Sequence, residues 1–230
     1  MKKLVAVLAA AVLAGGAVFA GDFYNGDIQI QLGAGFDSVK VENVDERVKA
    51  TIVDFGLESW HLFKPIDLVG VGFSVGFNGG IGPTDKMLNG TDNGMSANFN
   101  FNIGPAAAIY LGKIVRFGLN FGFATGFNFD QPVIAKTKIT VGSRSYESNY
   151  TSEIWSKFTG IDFGLQAKFF PESVVNPVVG WRLVTGSNKE YTVNNHYYST
   201  LSGSSGSVDD IQGKYRFTQN VLYAALSFSW

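Results

Sequence analysis

The stretch Val115–Asp130, VRFGLNFGFATGFNFD, decides the fold. Phe117, Leu119, Phe121, Phe123, Phe127 and Phe129 fall on one parity. Arg116, Gly118, Asn120, Gly122, Gly126 and Asn128 fall on the other. A period of two is the signature of a β-strand with two unlike faces. The apolar face carries no charge along its whole length. In water it would be an adhesive patch. Against lipid it is stable, and the Gly/Asn face suits the interior of a narrow barrel.

The same parity recurs outward from this segment. Asp27–Asp37, Ala50–His61, Leu68–Asn78, Met95 to about Tyr110, Lys157–Phe169, Val178–Gly186 and a terminal strand closing on Trp230 all alternate. Connections alternate too. They are short after strands two, four and six. After strands one, three, five and seven they are long, at Ser38–Lys49, Gly79–Gly94, Gln131–Ser156 and Ser187–Gly213. Short periplasmic turns and long outer loops are the plan of outer-membrane barrels. The expected fold is therefore all-β, an antiparallel transmembrane β-barrel of eight strands. Val133–Val141 keeps the parity of strand five and can turn back at Gly142-Ser143. It is read as a hairpin above the membrane, with a ten-strand barrel as the alternative.

The N-terminus supplies the compartment. Lys2 and Lys3 precede an apolar run, Leu4–Ala14, and Val18-Phe19-Ala20 is a small-x-small cleavage site. This is the layout of a signal peptide, residues 1–20, cleaved after Ala20. The expected domain is then 21–230, a barrel with four long extracellular loops. The net charge is −1 and charged residues are 16% of the chain, with no basic stripe, which argues against a nucleic-acid partner. Cysteine is absent, so no disulfide framework contributes. No cofactor is implied. Two histidines far apart make a metal site unexpected.

The C-terminal strand places Leu222, Ala224, Leu226, Phe228 and Trp230 on one face and ends on the aromatic. This resembles the C-terminal signal read by the outer-membrane assembly machinery. The whole pattern resembles the small OmpA-, OmpX- and OmpW-like barrels. The resemblance implies outer-membrane lipid, periplasmic chaperones and the assembly machinery as partners, and an outer-membrane location. It carries over architecture and no functional residue.

Candidate functional residues follow from parity. Asp54, Glu58, Arg116, Asp162, Lys168 and Arg182 point inward. Strand direction sorts them into a lower layer of Glu58, Arg116 and Lys168 and a middle layer of Asp54, Asp162 and Arg182, three acids against three bases. They form an ion network plugging the lumen, or a gate for a small solute. Inward Asn78, Ser96, Asn98 and Asn128 near the outer end do not make an apolar funnel, although Ile52, Ala124, Val184 and Val221 supply part of one. Tyr146 and Tyr150 in the third loop, and Tyr191, His196, Tyr197 and Tyr198 in the fourth, give the Tyr/Ser/Gly/Asn composition of adaptable contact surfaces. Trp60, Trp155, Trp181 and Trp230 are expected in the interfacial belts, with a deeper position as the alternative for Trp181. Neither His61 nor His196 pairs with a Ser or acid in a recognisable arrangement, so no enzyme is expected. Two functions stay open: a surface structural or adhesin-like protein meeting an extracellular partner, and passive transport of small or hydrophobic molecules, which the OmpW resemblance implies.

Overall fold

The computed structural model describes residues 24–41, 47–85, 94–131, 133–141, 143–199, 205–206 and 212–230. The signal-peptide expectation lies outside them. Among the described residues ten strands form one antiparallel sheet: β1 (Tyr24–Val41), β2 (Arg47–Ile66), β3 (Val69–Pro83), β4 (Met95–Leu111), β5 (Val115–Gln131), β6 (Val133–Val141), β7 (Arg144–Phe169), β8 (Val175–Ser199), β9 (Ser205–Gly206) and β10 (Gln212–Ser229). Eight of them close a ring. β1 pairs with β10 through Asp27↔Ser229 to Val41↔Tyr215, and β5, β7, β8 and β10 complete the circuit. Closure matters physically, because a lipid-exposed strand edge would leave backbone groups unpaired. β6 is not a stave. It pairs only with the first part of β7, from Val133↔Thr151 to Val141↔Arg144. The barrel is eight-stranded, with a hairpin standing on its outer end.

The short connections fall at Asp67–Leu68, Gly112–Ile114 and Phe170–Val174. Gly112 takes φ +60, which side chains disfavour, and this lets β4 and β5 reverse tightly. The long connections are much less loop-like than expected. β7 and β8 stay paired out to Ser148↔Ser199, so the segments read as loops at Gln131–Ser156 and Ser187–Gly213 are largely strand. Polar, Tyr- and Thr-rich sequence lacks the apolar face that lipid selects. It still forms a ladder where a long neighbour offers one.

Alternation sets the two surfaces. Leu32, Phe36, Phe55, Phe121, Phe123, Leu165 and Leu226 face outward as an apolar girdle, and Phe121 is 51% exposed. At one end Phe129 and Trp155 pack with centroids 4.5 Å apart; at the other Trp230 meets His61 edge-on. Trp60 departs from the expected belt. It has the inward parity of β2 and is fully buried in the base of the lumen. Gly118 faces it, and a Cβ there would lie 3.0 Å from its ring.

Candidate functional site

The lumen is filled in storeys. Its base is an apolar floor of Trp60, Leu62, Ala106, Ala108 and Tyr110 from β2 and β4. Directly associated with it is a buried ion triad centred on Asp27. The Asp27 carboxylate accepts from Arg116 at 2.6 Å and from Lys168 at 2.9 Å, and Gln29 donates to its second oxygen at 3.0 Å. Lys168 also donates to Ser229 (2.6 Å), whose hydroxyl donates to Asn176 (2.9 Å). The Arg116 guanidinium lies 5.5 Å from the Trp60 ring centroid. Five strands are thereby tied through one carboxylate and its cations.

The middle storey centres on Arg182. It donates to Asp54 at 2.6 Å, to Gln31 at 3.0 Å and to Asn78. Gln31 in turn donates to Glu58 at 2.7 Å. Asp162 takes its hydrogen bond from Asn120 at 2.8 Å. Of the three residues expected in this layer, Asp54 and Arg182 meet, and Asp162 makes no ion pair with them. In the lower layer Glu58 is not the partner of Arg116 and Lys168. Asp27 is. Strand β1 starts three residues earlier than expected, so Asp27 is an inward residue of a full stave and not a strand end. The parity of Gln29 and Gln31 already contained that signal.

The upper storey holds carboxylates without cations. Asn98 donates to Asp37, and Asp130 accepts from Ser96 (2.7 Å) and Asn128 (2.8 Å). Gln219 connects this storey to the one below, donating to Asn98 at 3.1 Å and to Asp54 at 3.5 Å. The expected balance of three acids and three bases does not hold. Among the described residues Asp27, Asp37, Asp54, Glu58, Asp130 and Asp162 are buried, against Arg116, Lys168 and Arg182.

The outer mouth is apolar on one side. Val39, Val48, Ala124, Ile154, Phe158, Val184, Tyr191, Tyr215 and Phe217 cluster there, with the Phe158 and Phe217 rings 4.7 Å apart. This corrects the expectation that the outer end carries no substantial apolar lining. The inward polar positions quoted for it come from β3, β4 and β5. The apolar ones come mainly from the opposite wall, where β7, β8 and β10 add Phe158, Tyr191, Tyr215 and Phe217.

The proposed surface contacts are strand residues. Tyr146 and Tyr150 lie in β7; Tyr191, His196, Tyr197 and Tyr198 lie in β8, with Tyr150↔Tyr197 and Thr151↔His196 in register. Tyr191 is buried in the mouth cluster and presents no external contact. His196 therefore sits on a regular element after all. His61 also departs from expectation, since it does meet a serine. Tyr24 hydroxyl bonds its Nδ1, and its Nε2 lies 3.0 Å from Ser59 Oγ. The Ser59 hydroxyl donates to the Asp27 carbonyl at 3.1 Å, so its proton stitches β2 to β1. Leu222, Leu226, Phe228 and Trp230 of the C-terminal strand are exposed on the girdle, on the same face as Ala224.

No protein-family model matches the chain, and no curated protein matches it in sequence. Among solved structures it resembles a major outer membrane protein from Thermus thermophilus, with a TM-score of 0.52 at 12% identity over 89% of this chain and 99% of that one. Ail, the attachment invasion locus protein of Yersinia pestis, is 14% identical over 88% of this chain and 99% of its own, with a TM-score of 0.38. The outer membrane protease OmpT from Escherichia coli is 10% identical over 92% and 98%, with a TM-score of 0.38. The first likeness fixes the class of fold, the closed antiparallel barrel of bacterial outer membranes. That fold and the uncharged girdle together support an outer-membrane location.

Proposed function

We propose that this chain is a closed outer-membrane barrel that works through its surface, as a structural or adhesin-like protein, after removal of residues 1–20. The observation that carries the reading is the occupancy of the lumen at three successive heights: the Asp27–Arg116–Lys168 triad below, the Arg182–Asp54 pair in the middle and the Phe158/Phe217 cluster above. Outside it, β6, β7 and β8 continue as a sheet beyond the girdle. β6 ends that sheet and leaves one edge unpaired among the described residues. An open edge can accept a partner strand by backbone hydrogen bonds. Catalysis has little support. The Ser59–His61 pair is buried, and its hydroxyl proton is committed to a backbone carbonyl.

Transport is the second reading, favoured by one observation. Both side-chain polar atoms of Gln166 are buried without a protein partner, so the mid-lumen has hydrogen-bonding capacity that the protein does not consume. With acids in excess, such a path would favour cations and neutral solutes over anions.

Two measurements on the refolded chain separate the readings. Planar-bilayer recording is expected to be silent, and cells displaying the barrel are expected to attach to an extracellular-matrix surface. Attachment is expected to fall when Val133–Thr151 is replaced by a short Gly/Ser turn. Reproducible current steps from the intact protein, or undiminished attachment without the hairpin, overturn the surface reading.

A further inference from the structure

One feature of the outer wall belongs to neither lumen nor hairpin. Near the outer rim a groove of about 590 Å³ opens on the outward face of β1, β2, β7, β8 and β10. Its lining includes Lys40, Arg47 and Arg216 and no carboxylate.

The register explains its composition. Arg47 pairs with Lys40, Lys40 with Arg216, Arg216 with Ser187 and Ser187 with Thr159. This is one continuous rung across five strands, with three cations side by side. The rung below reads Lys49, Ser38, Thr218, Thr185 and Ile161. The next outward-facing rung reads Thr51, Phe36, Asn220, Leu183 and Phe163, where the girdle begins. Over three rungs, each roughly 7 Å from the next, the surface passes from cationic to hydroxylated to largely apolar.

Like charges directly opposite on neighbouring strands repel and destabilise the pairing. Here two such pairs share Lys40. None of the three cations forms an ion pair among the described residues, and all are exposed. An anion spanning the rung would relieve the repulsion. The hydroxyls of Ser38, Thr159 and Ser187 line the groove as donors to the same group, whereas that of Thr218 lies 3.4 Å from the Thr185 hydroxyl and is already engaged there. Thr185 contributes less, because its hydroxyl already donates to the Phe217 carbonyl. A register shift between Ser156 and Thr159 interrupts the β7–β8 ladder beside the groove.

We infer that this groove binds a phosphate-bearing lipid of the outer leaflet, with the phosphate on Lys40, Arg47 and Arg216, the sugar or glycerol headgroup on the Ser/Thr rung, and the acyl chains along Phe36 and Ile161. A free phosphate shares the first contact only. A lipid also satisfies the apolar rung, and its position at the membrane surface places its phosphate at that height. The site is a binding site additional to the surface role, and it stands whether or not the lumen conducts.

The test uses the full mature barrel refolded in a zwitterionic detergent and titrated with bis-phosphorylated lipid A, with the same lipid stripped of its phosphates, and with inorganic phosphate. Retention is read by native mass spectrometry and by calorimetry. One lipid A per barrel is expected. The variant Lys40→Gln/Arg47→Gln/Arg216→Gln is expected to bind on the order of a hundredfold more weakly, from about a fivefold contribution per surface cation. These residues are outward and exposed, so folding is checked by the β-sheet circular-dichroism signal and is expected to be retained. As a control, Lys113→Gln on the opposite rim is expected to leave binding unchanged. Equal retention of the dephosphorylated lipid, or unchanged binding by the triple variant, overturns the proposal. Inorganic phosphate that competes at the lipid's own concentration also overturns it, because the site then recognises a small anion and not a lipid.

Discussion

The lower and upper lumen solve the same problem differently. Both bury carboxylates in a space a few side chains wide. Below, Asp27 holds Arg116 and Lys168 in ion pairs. Above, Asp37 and Asp130 take hydrogen bonds from Asn98, Ser96 and Asn128, and no cation pairs with them among the described residues. A buried ion pair is demanding because each partner is left exposed to a low-dielectric surround if the other is removed. A carboxylate with neutral donors leaves no orphaned charge behind. The lower lumen is thus locked by mutual dependence, and the upper lumen is not, with one Asp37 oxygen buried without a hydrogen-bond partner.

The largest expected effect comes from breaking that lock. Asp27→Ala strands two buried cations at once and is expected to destabilise the barrel by about 3–5 kcal/mol. The measurement is the urea midpoint of unfolding from lipid vesicles. The double variant Asp27→Ala/Lys168→Met is expected to recover part of that loss. No recovery would show that packing, and not charge, holds the floor.

Next comes the mouth. Phe158 is buried against Phe217, and Phe158→Ala is expected to cost about 3 kcal/mol through the cavity it leaves. Bilayer recordings are expected to remain silent in this variant, since Trp60, Arg116 and Lys168 still fill the lower lumen. Current steps from Phe158→Ala alone would make the aromatic cluster the seal and the ion triad a bystander.

A smaller effect is expected from Asp37→Asn. The change keeps the shape and orphans no cation, so the loss is about 1 kcal/mol or less. A drop as large as that of Asp27→Ala would erase the distinction between the two storeys.

These contrasts also show where the sequence was legible. Strand β5 could be read whole, because lipid demands an unbroken apolar face and the lumen demands small or polar residues opposite. The same logic placed Arg116, Lys168 and Arg182 inside. It could not assign their partners, since pairing across the lumen depends on barrel stagger. Residues distant in sequence, such as Asp27 and Lys168, meet there at heights that parity alone does not give. Asp27 and Asp37 are hard to read for another reason: they sit where the apolar alternation fades, and strands outlast their lipid-facing portion. The extended β7 and β8 failed by the same route. Above the membrane no solvent enforces alternation, so Tyr191 reads as loop and folds as an inward strand residue. The cationic groove was hidden because Lys40, Arg47 and Arg216 are scattered in sequence and are neighbours only in register.

The smallest effect is expected outside the membrane-spanning strands, in the short turns. Lys113 and Glu172 form an ion pair at 2.8 Å across adjoining turns, and both side chains are exposed. Hydrogen bonding to the Glu172 carboxylate, with its charge, holds the Lys113 ammonium above its usual range. A cation whose pKa is raised by folding contributes below the ordinary lysine range, and the contribution fades as pH rises through the raised value. Water and salt screen such a pair. Lys113→Ala is therefore expected to leave the urea midpoint at neutral pH unchanged within error. A measurable loss at low ionic strength that disappears in high salt would show that the turns, and not only the lumen, lean on paired charge.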